Sequence, residues 1–334
     1  MQLNQANHEA GNRQNAGNAR PRGAAKRILI GYDGSAGAEA ALADLGRAGL
    51  PDELDVLVLS VAGQARPEVV ARFARETRPA QQAVSRAVES LSHRLAEQAC
   101  TRLRSLFPRW KVESAAAVDS PAWGIVRRAA EWEADLVVTG AHGHSCCERM
   151  LLGSVARRVF ADAPCSIRIA RPCHRPAGSG LRIVVAVEGS FADDAVIAAV
   201  SGRAWPATTE FQVVTVVDAR LEAARASTES CAAWQHQRSA VVDARACLLM
   251  EKCSNRFWSA GLRVDTLIFE KDFARRLAQQ AKVWEADCVF LGLHGRGRSG
   301  RGIQEGAAFA TAARAPCSVE VVRSPAMAPE LSHD

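Results

Sequence analysis

Short apolar runs alternate with longer segments of helical periodicity through most of this chain. The runs in KRILIGYDGS (26–35), DVLVLSVAG (55–63), WKVESAAAV (110–118), ADLVVTG (134–140) and CSIRIA (165–170) have the length and residue types of buried strands. Between them the spacing predicts a helix over 36–48, a long one from about 81 to 106, one opened by Ser120-Pro121, and one over 154–162. Ser120 supplies a polar N-cap, and Pro121 a first helical residue whose fixed φ suits that place. Residues 63–79 read as a polar link bearing arginine and proline. Strands that alternate with helices imply a parallel, doubly wound sheet.

From Leu181 the same order starts again. LRIVVAVEGS repeats KRILIGYDGS, and EFQVVTVV repeats the second strand. VWEADCVFLGLHG (283–295) matches EWEADLVVTGAHG (131–143) at eight of thirteen positions, and APCSV (315–319) repeats APCSI (163–167) at the same offset of 152. The chain is therefore expected to hold two α/β domains in tandem, at 26–172 and 181–324, joined by a linker at 173–180. Residues 1–25 are expected to form a disordered leader and 325–334 a disordered tail.

Composition narrows the class. A chain of 334 residues with 48% hydrophobic and 23% charged residues suits two ordinary globular domains. The formal charge of +6 is mild, so nucleic acid is not expected as a partner. No apolar stretch suggests a membrane span or a secretory signal. The ten cysteines fall mostly within strand and helix patterns, which argues for free thiols in a reducing cytoplasm over a disulfide framework.

The chemistry concentrates in ADLVVTGAHGHSCCERMLLGSV, from Ala134 to Val155. A buried run ends at Thr139, a loop carries Gly140 and Gly143, and Gly153-Ser154 opens a helix. Glycines let backbone amides approach a ligand, and a helix start favours negative charge, so this order builds an anion site. The bland alternative is a set of glycines that merely shapes a turn. Asp33 stands at the end of the first strand, where open α/β sheets bind ligands, and an Asx turn or helix cap suits it equally.

The spacing Gly140, two residues, Gly143, nine residues, Gly153-Ser154 resembles the nucleotide loop of the universal stress protein family, in its ATP-binding branch. The resemblance implies Rossmann-like domains of the adenine nucleotide alpha hydrolase type, each a five-stranded parallel sheet. It implies ATP, with or without Mg2+, held over the carboxyl ends of the first domain's strands. Gly140, Gly143, Gly153 and Ser154 would hold the phosphates, with Val155 near them. Asp33, Val61 and Thr139 would line the adenosine, while Gly31 and His142 complete the site. The resemblance further implies a stress-response regulator or sensor with a protein partner, and pairing of the final strands, 165–171 with 317–323. Homodimerisation stays open. The competing functions are slow ATP hydrolysis or phosphoryl transfer at the same site, and an interaction protein without nucleotide. No paired carboxylates or evident general base favour the enzyme.

The second copy departs from this pattern. It keeps Gly292 and Gly295, but Glu305 and Gly306 stand where the first has Gly153 and Ser154, and Glu188 replaces Asp33. A carboxylate at a helix start satisfies the dipole itself and repels phosphate, so a weak or empty second site is expected. Arg296, Arg298 and Arg301 read as a solvated basic loop. Gly295 to Gly300 formally spells GxGxxG with Glu320 about twenty residues on, but it lies in the last βα unit, and Glu320 falls inside a strand pattern. His142, His144, Cys146 and Cys147 could ligate a metal or sense redox, yet the second copy shares only a histidine, His294. Trp132 and Trp284 read as core packing, and Cys165 and Cys317 as small buried hydrophobes.

Overall fold

The computed structural model describes residues 26–63, 78–143, 152–173, 175–176, 179–217, 234–270, 272–293 and 303–323. The expected leader and tail, most of the 63–79 link, and the loops 144–151 and 294–302 lie outside the described residues. The first repeat runs β1 (Lys26–Gly31), α1 (Ala36–Asp44), β2 (Leu54–Ala62), α2 (Arg78–Leu106), β3 (Lys111–Val118), α3 (Pro121–Glu131), β4 (Leu136–Gly140), α4 (Ser154–Asp162) and β5 (Ser166–Ala170). The second runs β6 (Arg182–Val187), α5 (Phe191–Ser201), β7 (Glu210–Val217), α6 (Trp234–Ser259), β8 (Val264–Glu270), α7 (Phe273–Val283), β9 (Cys288–Leu293), α8 (Ile303–Arg314) and β10 (Ser318–Arg323).

The ten strands among the described residues form one sheet, ordered β3-β2-β1-β4-β5-β10-β9-β6-β7-β8. Each repeat contributes five parallel strands, as expected of a doubly wound fold. The two halves meet where β5 pairs antiparallel with β10, Ile167 opposite Val321 and Ile169 opposite Val319. The final strands thus lose their open edges to each other, which removes a pairing hazard. Within the first repeat, β1 pairs β2 on one side and β4 on the other. Chain direction across the sheet reverses there, which is the switch point at which such folds open a crevice.

The two faces are covered differently. On one, Ile167, Ile169, Val319 and Val321 belong to a single apolar core that runs across the junction and takes in Phe160 of α4 and Ala312 of α8. On the other, separate cores lie under α1 and α2 and under α5 and α6. Trp132 and Trp284 pack half-buried against the shared core, each with an arginine above it, Arg27 at 5.7 Å and Arg182 at 5.9 Å. No helix among the described residues is long and apolar enough to cross a membrane.

Two local expectations are revised. The helix expected over 36–48 stops at Asp44, where a 3-10 turn, Leu45–Arg47, takes over. Ser120 precedes α3 in extended conformation, but its hydroxyl makes no capping bond; Pro121 sets the start instead. Helix α8 begins at Ile303, so Glu305 lies in its first turn, at a helix start as expected. Cys317 is buried and Cys165 half-buried against the shared core; burial pushes both thiols up, Cys165 to about 12.

Candidate functional site

The switch point between β1 and β4 opens into a cavity of about 240 Å³. All ten residues singled out in the sequence line it: Gly31, Asp33, Val61, Thr139, Gly140, His142, Gly143, Gly153, Ser154 and Val155. Strand ends supply the floor. β1 delivers Gly31 and Asp33, β2 delivers Val61, and β4 delivers Thr139 and Gly140. Helix α3 closes one side with Pro121 and Ile125, and α4 opens toward the cavity with its first turn.

Close approach to backbone requires glycine at two places, Gly37 and Gly140, whereas a Cβ on Gly31 would stand 2.7 Å from Ile125 Cδ1, the far end of a side chain that can turn aside. One on Gly140 would fall 2.4 Å from the backbone of Gly37, and one on Gly37 would fall 1.8 Å from the His142 carbonyl oxygen. The first turn of α1 therefore lies directly on the glycine loop. Gly37 carries this packing and was not recognised in the sequence; a glycine near the start of a helical pattern is the signal that could have found it.

Asp33 Oδ1 accepts from the Ser35 amide at 2.9 Å, which is the Asx turn, and Ser35 Oγ caps α1 by accepting from Ala38 N at 3.2 Å. Asp33 Oδ2 lies 3.1 Å from where a Gly143 side chain would begin, so the carboxylate faces the loop. Beside it the Tyr32 hydroxyl donates to Glu39, which in turn takes Arg102. Burial first, and Glu39 second, push the Tyr32 hydroxyl up to about 12, so it stays protonated and acts as a donor.

The backbone amides left without a partner at this site differ in detail from the sequence expectation. The Gly153 amide donates to the Ala141 carbonyl at 2.8 Å, which ties the loop to the helix and commits that donor. Gly153 serves as the N-cap of α4, and no side chain among the described residues caps the helix. The amides of Ser154, Val155 and Ala156 in its first turn accordingly have no intrahelical partner. His142 Nε2 is buried and unpartnered among the described residues. The site thus offers uncapped helix amides, one carboxylate in Asp33 and an orphaned imidazole nitrogen around one cavity.

The corresponding crevice of the second repeat is nearly filled. Ala186, Glu188, Phe273, Leu291, Gly292 and Ala308 are among the residues around a space of about 10 Å³. Glu188 uses its amide on Asp193, whose carboxylate also accepts from Gly189 and Ser190. Of the candidate metal cluster only His142 is described, and no group of three or more His, Cys, Asp or Glu among the described residues could hold a metal ion. Glu320 lies within β10 and is buried, not at a strand end where a ribose would sit. The Gly295–Gly300 and Arg296–Arg301 readings fall outside the described residues.

Two doubly wound α/β halves, the first with an open crevice at its switch point, define a Rossmann-like scaffold. Residues 24–171 match the model of the universal stress protein family. A curated universal stress protein of Methanocaldococcus jannaschii is 34% identical over 77 residues, which is 22% of this chain and 45% of that protein, so the chain spans about half of that relative's length. Among solved structures, a universal stress protein from Archaeoglobus fulgidus superposes with a TM-score of 0.57 at 16% identity, covering 89% of this chain and 96% of its own. A functionally unknown protein from Pseudomonas aeruginosa gives 0.56 at 16% identity, covering 90% and 94%. At these identities the structures share the fold.

Proposed function

We propose that the first repeat binds an adenine nucleotide, ATP with or without Mg2+, and that the protein acts as a stress-response regulator or sensor of the ATP-binding, tandem type. The observation that carries this reading is the uncapped start of α4 opening onto the cavity that all ten candidate residues line. Phosphates would lie against the Ser154, Val155 and Ala156 amides and the loop glycines, where dipole and free donors both favour them. The adenosine would lie over Val61 and Thr139, with Asp33 beside the sugar. His142 Nε2 gains a partner in such a complex. Asp33 is the one carboxylate of the lining among the described residues, so Mg2+ would take most of its ligands from phosphate and water.

Holding, not turnover, is the proposed activity. A phosphoryl-transfer site needs metal-binding carboxylates and a placed base, and the described lining supplies a single acid. The seven described cysteines are all free, which fits a reducing cytoplasm. The test is mass-spectrometric identification of small molecules released on denaturing the purified chain, on wild type and Gly153→Glu. About one adenine nucleotide per chain, lost in the variant, is expected from a single such site. No nucleotide in either, and none bound on titration, would leave the glycine loop a structural feature and favour a nucleotide-free interaction protein.

A further inference from the structure

The two strands that join the halves are repeat equivalents. APCSIRIAR (163–171) and APCSVEVVR (315–323) differ only by aliphatic exchanges and by one reversal of charge, Arg168 against Glu320. The register sets these same two residues directly opposite each other. The local twofold axis relating the repeats therefore passes between them. At such an axis a residue meets its own equivalent.

Here the equivalents are unlike, and they are buried. Arg168 is 0% exposed and Glu320 1%. Arg168 Nη1 donates to Glu320 Oε2 at 3.0 Å, while its Nε and Nη2 donate to Asp44 at 2.5 and 3.2 Å. Arg203 donates to the other oxygen of Glu320, and the Ser318 hydroxyl of β10 donates to Asp44 Oδ1 at 2.9 Å. The result is a row, Asp44, Arg168, Glu320, Arg203, that alternates in sign and takes two members from each repeat. It separates the two apolar cores on that face of the sheet.

Consider the same edge pairing two first repeats. Asp44 still serves Arg168 within each, but two Arg168 guanidinium groups meet at the axis with donors facing donors. Two second repeats would bring Glu320 against Glu320. Like charges directly opposite destabilise a strand pair, and a buried charge without its partner is costly. A buried ion row is weak evidence for stability, since well-packed apolar residues often do as well. It is better evidence for a choice of partner.

We propose that this charge row selects the partner of the β5 edge: a first repeat accepts a second repeat and rejects a copy of itself, and the second repeat does the same. The edge is thereby closed to homotypic pairing between chains, and any larger assembly uses another face. The inference stands on the junction alone and is independent of the nucleotide reading.

The test uses the full chain with a protease site placed in the 175–180 linker and cut after folding. Nicked protein is unfolded in urea, refolded by dilution, and its complexes weighed by native mass spectrometry. Wild type is expected to return only pairs of one first and one second repeat. The neutral variant Asp44→Asn/Arg168→Met/Glu320→Met/Arg203→Met is expected to give homotypic pairs as well, approaching the random share of about one half. Equal homotypic shares in both would overturn the proposal. Uncut chains give a second reading that needs no refolding of halves. Arg168→Glu and Glu320→Arg should each melt lower than wild type by on the order of 10 °C, with the neutral variant far less affected. Like-charge variants as stable as wild type would overturn the proposal too.

Discussion

One scaffold, built twice in the same chain, presents an open crevice in its first half and a filled one in its second. The strand order and the order of elements are shared, and among the described residues the two crevices differ in a few side chains. Gly31 of the open crevice corresponds to Ala186, Pro121 to Phe273, Ile125 to Leu277 and Thr139 to Leu291. Three of these changes add apolar volume to the same spot and the fourth reshapes it, and the space falls from about 240 to about 10 Å³. A doubly wound domain can give up its crevice without giving up its fold, because the crevice lies beyond the strand ends and outside the core.

The strongest way to break this comparison is to move the filling across. Gly31→Ala/Pro121→Phe/Thr139→Leu should leave the thermal midpoint near that of wild type and weaken nucleotide binding more than about hundredfold, ~2.7 kcal/mol. Calorimetric titration alongside a melt separates the two effects. The methyl group added at Gly31 meets the far end of the Ile125 side chain, which can turn aside. Retained affinity would mean that the cavity is not where the ligand binds.

A second substitution asks whether the crevice walls are as tightly set as the geometry implies. Gly37→Ala should cost about 1–3 kcal/mol, the usual range for overpacking, because its Cβ would collide with the His142 carbonyl, and backbone cannot move aside cheaply. The second repeat already has Ala192 at this place, set against Gly292. A melt of Gly37→Ala indistinguishable from wild type would show that the loop and α1 are not in contact.

The legible parts of this molecule were those written in local pattern. The apolar runs and the offset of 152 between the repeats foretell the strands and the duplication, and the family resemblance foretells the pairing of final strands. The glycine spacing leads to the residues that line the cavity. What depends on who meets whom across the fold was not legible. The family resemblance implies Gly153 as a phosphate donor, but its amide is committed to Ala141. Gly37 reads as a weak helix residue until α1 is seen lying on the loop. Phe273 and Leu291 read as ordinary apolar positions until their equivalents are found lining an open space. Arg168 and Glu320 look like two unrelated charged strand residues until the register makes them neighbours.

The smallest expected effect sharpens the comparison at the turn after the first strand of each half. Asp193 of the second repeat is buried, and its carboxylate takes the amides of Glu188, Gly189 and Ser190 at 3.2, 2.7 and 3.1 Å. The corresponding residue of the first repeat is Ala38, so this plug exists on one side only. Burial raises the Asp193 carboxyl above its ordinary 3.8, outweighing the three amides that favour its charge. With the folded value above the unfolded one, the native state holds the proton more tightly. The contribution of this group to stability is then greatest below about 3.8 and declines as pH rises through the raised value. Thermal midpoints of wild type and Asp193→Asn across that range should show wild type losing ground to the variant as pH increases. The opposite slope would mean that the amides dominate over burial, and that the turn of the second repeat has kept a true anion-binding cradle in which its own aspartate sits as the anion.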